Sequence, residues 1–520
     1  MSLQTSPPNR ASTNITGRQT QVVAVDRPTS TEEVQLLVQQ ARETRSPLYP
    51  VSCGYNWGYG SASPVSADCS LVNLSSMNRI LNADKISLSN PVALIEPGVT
   101  QGQLYDFLQL HCPELTFNVT GSARGTSIIG NALDRGVGYF GPRKEDLFGL
   151  EVVCGSGEIL KTGFRRLGEA SPLAHSHPYG LGPMLDGLFF QANFGIVTSA
   201  CFKLFPRRPK EIAVSLALRN TSDLGVFINE LALLKREGLM TSVTHVANKA
   251  RSHASMMYGM TQYLEQACSF SPDQALIDAK KALRIVAPNE WTSLGAITGN
   301  RGQVAAALKE IKQRMKPLAR VVAVTTHLLD TGYEIAHALR FLPFARANAA
   351  AIAAIRPLHA LALGVPTDVA IDNLLWHFGR TDLVAAELDQ SHCGLLYISP
   401  ALPPDGKLVA KLMEDLTVLA GQYGHVLYTT VNIETPTSVV AIINLLFDRR
   451  DLAALDEAHR CADALLRHIH EQGLEVYRAR ADSMAHIVSR DTPYWTTVRS
   501  LKQTFDPDNI IAPGRYNLMQ

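Results

Sequence analysis

The sequence predicts an α+β protein of two domains, one assembled from both chain ends and an α/β one inserted between them. Three observations predict it. A chain of 520 residues is long for a single core. Up to Pro206, short apolar runs are punctuated by glycine-rich loops; beyond it, long Ala- and Leu-rich helical segments alternate with strand-like runs such as Val321 to Thr326 and Leu395 to Ser399. The last stretch of chain then returns to the punctuated pattern. The expected limits are a flexible tail over 1–20, a first domain over 21–206 and 465–520, and an inserted domain over 207–464.

The elements follow in order. Thr29 to Thr44 reads as a capped helix, with Ser30 or Thr31 at the N-cap, Glu32 and Glu33 in the first turn, and Val34, Leu37 and Val38 on one face. Ser46 to Val51 is extended and runs into a loop, Ser52-Cys53-Gly54-Tyr55-Asn56-Trp57-Gly58-Tyr59-Gly60-Ser61. Cys69 to Asn73 and Val92 to Glu96 are short strands, and Gln101 to Leu110 is a helix. Thr116 to Gly138 forms a second loop system. Leu150 to Leu160 reads as a hairpin turning at Gly155-Ser156-Gly157. The Ala-rich stretch from Ala347 to Val365 is broken by Arg356, Pro357 and His359, so it reads as a buried helix rather than a membrane span.

Composition removes several function classes. A net charge of +1 gives no general affinity for nucleic acid or membrane. The eight cysteines are scattered without a CxxC pair, which argues against a zinc site or a disulfide framework, and no metal is expected. Met1 to Thr20 lacks an apolar h-region, so a cytoplasmic setting without a signal peptide is expected.

The chemistry lies in the two loops. Glycines allow positive φ and let successive N–H groups converge, which binds a diphosphate without Lys or Arg. The first loop has neither GxGxxG spacing nor a P-loop Lys, so neither a Rossmann turn nor an NTPase is indicated. Its aromatics, Tyr55, Trp57 and Tyr59, suit burial beside a flat cofactor. The second loop, Thr120-Gly121-Ser122-Ala123-Arg124-Gly125-Thr126-Ser127, offers small hydroxyls and bare backbone. Two such loops favour one large shared ligand.

These blocks resemble the vanillyl-alcohol oxidase / p-cresol methylhydroxylase (PCMH) flavoprotein family. Asp134-Arg135-Gly136-Val137-Gly138-Tyr139, Gly149-Leu150-Glu151-Val152-Val153, Tyr179 to Phe189, Asn193 to Thr198, Tyr477-Arg478 and Asp506 to Arg515 follow in family order. The resemblance implies a PCMH-type FAD-binding fold with an inserted substrate (cap) domain. It implies an FAD-dependent oxidoreductase in which a small, phenolic substrate gives a hydride from a benzylic carbon to flavin N5. Ser52 to Trp57, Gly58, Gly60, Ser61, Thr120, Gly121, Ser122, Gly125 and Thr126 would bind the cofactor, with Gly130, Asn131, Arg135, Gly195, Ile196 and Val197. Tyr59, Tyr477 and Arg478 would hold the phenolate by charge-assisted hydrogen bonds, and Arg515 would favour the anionic reduced flavin. Oxygen or an electron-transfer protein would accept the electrons; a homodimer is compatible with the chain.

Departures from the family open two alternatives: a non-phenolic alcohol, amine or biosynthetic intermediate as substrate, or a flavin scaffold without catalysis. Gln101 follows Gly98-Val99-Thr100 where relatives carry Tyr, and Phe140 to Asp146 is shorter than the usual loop and lacks its carboxylate; Glu145 or Asp146 is a candidate replacement, and both read more simply as solvated charges. His377 and His425 are candidate bases, more simply read as structural. The residue aligned with a family flavin linkage is Leu395, which forms no bond; His392 and Cys393 align only in a shifted register. Tyr55 stands where bicovalent relatives carry His. Noncovalent FAD is therefore expected. The protein band on a denaturing gel should show no flavin fluorescence; a fluorescent band would overturn this.

Overall fold

The structure, a computed structural model, describes residues 14–18, 20–489 and 492–518. Two larger sheets build the first domain. One is parallel, with Cys69–Asn73 between Val22–Asp26 and Leu48–Val51. The other is antiparallel, in the order Val92–Ile95, Gly195–Lys203, Leu147–Cys154 and Ile159–Lys161. The helix Thr31–Thr44 is capped by Ser30, whose Oγ accepts from Glu33 N at 3.2 Å. Its buried Val34, Leu37, Val38 and Ala41 share a core with the parallel sheet.

The chain's end completes this core. Leu48 N donates to Ile510 O and Ala512 N to Leu48 O, both at 2.7 Å, so the C-terminal segment extends the parallel sheet. Asp506 fixes that segment. It accepts from Ile510 N and Ile511 N and pairs with Lys502 Nζ at 2.5 Å, all buried. Gly155 is required here: a Cβ would lie 2.2 Å from Asp506 Cγ.

The inserted domain is a nine-stranded antiparallel sheet. Its order is Ala319–Val324, Lys210–Leu218, Trp291–Gly299, Thr244–Asn248, Leu427–Ile433 and Val439–Asp448. Cys393–Ile398 and Pro400–Leu402 both pair with that last strand, and Glu475–Val476 closes the edge. Side chains alternate between its faces. Val431, Ile433, Ala441, Ile443, Leu445 and Leu396 face helices such as Leu224–Arg236, Gly406–Gln422 and Leu452–Glu471. The other face carries Tyr397, Asn444 and Tyr428 in register, and His245 beside Asn432. This polar and aromatic face meets the first domain: Tyr397 N donates to Gly58 O at 3.1 Å.

Two expectations change. Residues 1–13 and 19 of the expected tail lie outside the described residues, but Asn14, Ile15 and Thr16 are buried. Their backbone is needed by the cap: Leu395 N donates to Ile15 O, Arg449 Nη1 to Asn14 O, and His459 Nε2 pairs with Thr16 O. The expected limit at 464/465 falls inside the helix Leu452–Glu471, whose buried Ala458, Ala462, Leu465 and Ile469 belong to the cap core. The chain returns to the first domain after Val476.

Asp389 ties three segments together. It accepts from Ile15 N at 2.8 Å, Ser61 Oγ at 2.7 Å and Trp57 Nε1 at 3.2 Å. Asp389→Ala leaves those donors unpaired and should weaken local closure by about 1–3 kcal/mol. Faster amide hydrogen exchange in 15–17 and 56–61 is the expected reading; unchanged exchange would remove the tie.

Candidate active site

A cleft opens between the parallel and the antiparallel sheet of the first domain. The first glycine loop forms one wall. It leaves the strand Leu48–Val51, turns at Gly54 with φ +77°, and closes where Tyr59 N and Ser61 N donate to Asn56 O at 3.1 and 2.9 Å. Between these points the N–H groups of Cys53, Gly54, Tyr55 and Asn56 meet no acceptor among the described residues. Thr126 Oγ1, also lining the cleft, is buried without a partner. The loops touch through glycines. A Cβ at Gly130 would lie 2.7 Å from Ser52 Oγ, and one at Gly125 would lie 3.0 Å from the Tyr55 ring.

One end of the cleft is charged. Asp134 pairs with Arg478 at 2.7 Å and with Arg515 at 2.9 Å. Arg478 Nη2 also donates to Asn56 Oδ1, and Arg515 Nη1 to Tyr49 OH at 3.0 Å. Burial would push the Asp134 carboxyl up, but the two guanidinium groups outweigh it and hold it below its ordinary value. Burial likewise opposes the charge on Arg478 and Arg515; Asp134 helps reverse this, and both end above the ordinary arginine value.

Arg478 lies over the Tyr59 ring, 4.3 Å from its centroid. Tyr59 stacks on Tyr397 at 4.9 Å, and its OH shares a 2.8 Å hydrogen bond with Ser399 Oγ. Burial raises Tyr59 well above the ordinary tyrosine value and pushes Tyr477 up to about 12, so both phenols stay protonated. Gln191 Nε2 donates to Tyr477 O at 2.9 Å and positions that strand end.

The structure brings most of the sequence-selected residues to this cleft, but not all. Ser52 to Asn56, Ser61, Thr126, Gly130 and Asn131 line it, as do Gly195, Ile196, Val197, Arg478 and Arg515. Trp57 turns away, stacks on Tyr55 at 4.5 Å and donates to Asp389. Gly58 and Gly60 give close approach to Tyr397 and Ala481 instead. Thr120 and Ser122 bond each other through their hydroxyls, and Gly121 and Gly125 serve the same turn. Arg135 leaves the lining at a positive φ of 56°. Tyr59 and Tyr477 stand where the cap meets the cleft.

Several secondary expectations resolve differently. Gln101 is fully buried and clamps the second loop, accepting from Thr120 N and donating to Ala123 O at 2.8 Å. Its exchange for an aromatic residue therefore supports a loop and says nothing of the substrate. Glu145 is exposed as expected, but Asp146 is buried. It accepts from Asn118 Nδ2 at 2.8 Å, and burial raises its carboxyl to about 6. Folding decides this, because Asp146 shares its pocket with the fully buried Arg143. His392 is exposed, Cys393 is buried with its thiol pushed up to about 12, and Leu395 is buried in an apolar cluster. His377 holds the Tyr428 OH at 3.3 Å.

Residues that sequence reasoning did not assign are Asp134, Tyr49, Gln191 and Ser399. For Asp134 a signal existed: two cations selected for one site require an anion between them.

Comparison with known proteins fits this geometry. Over 503 residues the chain is 31% identical to 1′-carboxy-chondrochloren decarboxylase of Chondromyces crocatus, covering 95% of this chain and 90% of that protein. The chain belongs to the PCMH-type FAD-binding flavoprotein family. An FAD binding domain is matched over residues 22–163. The flavoprotein subunit of 4-cresol dehydrogenase [hydroxylating] from Pseudomonas putida is 26% identical over 94% of this chain and 86% of its own. Among solved structures, p-cresol methylhydroxylase with substrate bound superposes with a TM-score of 0.78, and 4-ethylphenol oxidase from Gulosibacter chungangensis in its isoeugenol complex with 0.81. Both are 24% identical and cover 98% of this chain and 92% of theirs, so they show the two-domain α+β fold.

This flavoprotein is an FAD-dependent enzyme, and the cleft suits the cofactor. Unpaired amides at Cys53 to Asn56 and the orphaned Thr126 hydroxyl offer hydrogen-bond donors that an anionic diphosphate can fill. No helix among the described residues is long and apolar enough to cross a membrane.

Asp134→Asn should cost about 3–5 kcal/mol, because it leaves two buried guanidinium groups without their anion. The native carboxyl lies below its ordinary value, so its contribution is full above about pH 4 and is lost as pH falls through the native value. Denaturant unfolding of both proteins against pH checks this: the gap should narrow only in acid, and equal stability at neutral pH would contradict it.

Proposed function

We propose that this flavoprotein oxidises a small phenol at its benzylic carbon, with Tyr59, Tyr477 and Arg478 holding the phenol oxygen. FAD, when bound, supplies the two-electron acceptor for a hydride from that carbon. One observation carries the reading: Tyr59 and the buried Arg478 guanidinium, with Tyr477 adjacent in the chain, converge where the cap covers the charged end of the cleft. Two O–H donors and a cation favour the phenolate over the phenol. The phenolate pushes electron density into the ring and stabilises the electron-poor benzylic carbon as a quinone methide. Arg478 is already oriented by Asp134 and Asn56, so little reorganisation is needed as charge shifts. Ser399 and Tyr397 fix the Tyr59 ring from the cap side.

A second reading adds loss of carbon dioxide. The Chondromyces relative is named a decarboxylase, which supports it. In a phenol whose side chain carries a carboxylate one carbon beyond the benzylic position, hydride loss gives the quinone methide. The C–C bond to the carboxylate then breaks, its electron pair forms the side-chain double bond, and the phenolate returns. The products are a vinyl phenol, carbon dioxide and two electrons on the acceptor. Formation of 4-vinylphenol from 3-(4-hydroxyphenyl)propanoate separates this outcome from hydroxylation.

Arg478→Ala should slow anaerobic flavin reduction by 4-ethylphenol by about 2–4 kcal/mol in activation free energy. Stopped-flow absorbance measures it, and an unchanged rate rejects the role of Arg478.

A further inference from the structure

We propose that Arg251 receives an anionic group on the substrate, making the preferred substrate a phenol that also carries a carboxylate. This rests on the phenol reading above and names the other end of the molecule.

Arg251 sits in the first turn of the helix Lys249–Cys268, which springs from the cap-sheet strand Thr244–Asn248. The N-cap Asn248 accepts from Arg251 N at 2.9 Å and donates to Leu427 O at 2.8 Å, so that turn is fixed to the sheet. The placement is electrostatically costly, because a helix N-terminus repels cations and favours anions. No acidic residue stands in this first turn. Its neighbour Lys249 pairs with Glu290 at 2.8 Å. The Arg251 guanidinium makes no hydrogen bond or ion pair with any described residue, although the side chain is only part-exposed. A surface arginine needs no partner, but one held part-buried against a helix N-terminus is a cation lacking its anion.

The cap sheet places that cation beside its polar face. The N-cap Asn248 bonds Leu427 O and Thr429 N, the residues flanking Tyr428, which shares Asn444 as a cross-strand neighbour with Tyr397, and the strand leading into the helix carries His245. Tyr397 stacks on Tyr59, and Tyr139 packs against His245 at 4.6 Å between centroids. Tyr397 and His245 both belong to the polar face of the cap sheet. Two further buried donors or acceptors on that face, His245 Nε2 and Asn444 Nδ2, have no partner, and Asn444 is 2% exposed. Burial holds the His245 ring down at about 4, so it is neutral and adds no competing charge. The face therefore runs from the phenol-binding Tyr59, past Tyr397, to an unpaired cation with unfilled hydrogen-bonding groups beside it. A neutral phenol uses only the first end; a phenol with a carboxylate uses both.

The test compares 3-(4-hydroxyphenyl)propanoate with 4-ethylphenol, which differ only by the carboxylate group on the terminal carbon. In the FAD-loaded enzyme, half-saturating concentrations come from the anaerobic reductive half-reaction. Arg251→Met should raise the value for the propanoate by about tenfold to a hundredfold, as loss of a charge-assisted hydrogen bond does, and leave 4-ethylphenol within about twofold. Arg251→Lys should recover part of the propanoate affinity. Equal effects on both compounds, or a wild-type preference for 4-ethylphenol, overturn the proposal. If neither compound reduces the flavin, the phenol reading fails by itself. Calorimetric binding of 3-phenylpropanoate against 3-phenylpropanol then decides for Arg251: a carboxylate preference lost in Arg251→Met sustains its role, and no preference overturns it.

Discussion

A single buried carboxylate organises the charged end of this flavoprotein's cleft. Asp134 neutralises Arg478 and Arg515, which arrive from two separate C-terminal segments, and Arg478 in turn holds Asn56 of the first glycine loop. Neither arginine could be buried in that position without an anion, since an unpaired interior charge costs several kcal/mol. The pairing thus brings together the first loop, the turn before Gly136, the return strand from the cap and the chain's end. It also leaves a net positive charge beside the cleft, which is where a phenolate or an electron-rich cofactor would be stabilised.

The cap contributes through the two faces of one sheet. Its apolar face packs on helices and supplies stability, while its opposite face carries Tyr397, Asn444, Tyr428, Asn432 and His245, with Tyr397 stacked on Tyr59. Strand alternation makes these two tasks compatible, because a residue on one face does not compete with its neighbour on the other. Register then fixes the site: a slip of one residue in Cys393–Ile398 would carry Tyr397 into the core and a leucine to Tyr59. Asp389 and the buried Asn14 to Thr16 hold the edge of this sheet against the glycine loop. Rigid support behind Tyr59 follows from those contacts.

Much of the fold was legible in the chain. The helix Thr31–Thr44 with its Ser30 cap, the strand Cys69–Asn73 and the hairpin at Gly155 to Gly157 each carry a local signal of capping, apolar period or turn chemistry. The loop Ser52 to Ser61 was legible for the same reason, since its glycines mark a backbone that only glycine adopts easily. What stayed hidden depends on distant partners. Trp57 looked like a cofactor-facing aromatic and is instead held by Asp389, over three hundred residues away. Asp146 looked solvated and is buried with Arg143 and Asn118. Asn14 to Thr16 looked like tail and are buried because the cap edge needs their carbonyls.

By itself, then, the sequence determined the order of elements, the two glycine loops and the family, and it singled out Tyr59, Tyr477, Arg478 and Arg515 as candidates. These are properties of local spacing and residue type, which the unfolded chain already holds. The tertiary structure alone decided how charges are shared: that Asp134 serves both arginines, that Gln101 holds a loop, and that Arg251 is left without an anion. Such pairings depend on burial and on distances between residues far apart in the chain. A charge acquires its energetic meaning only when folding removes water and fixes its neighbours.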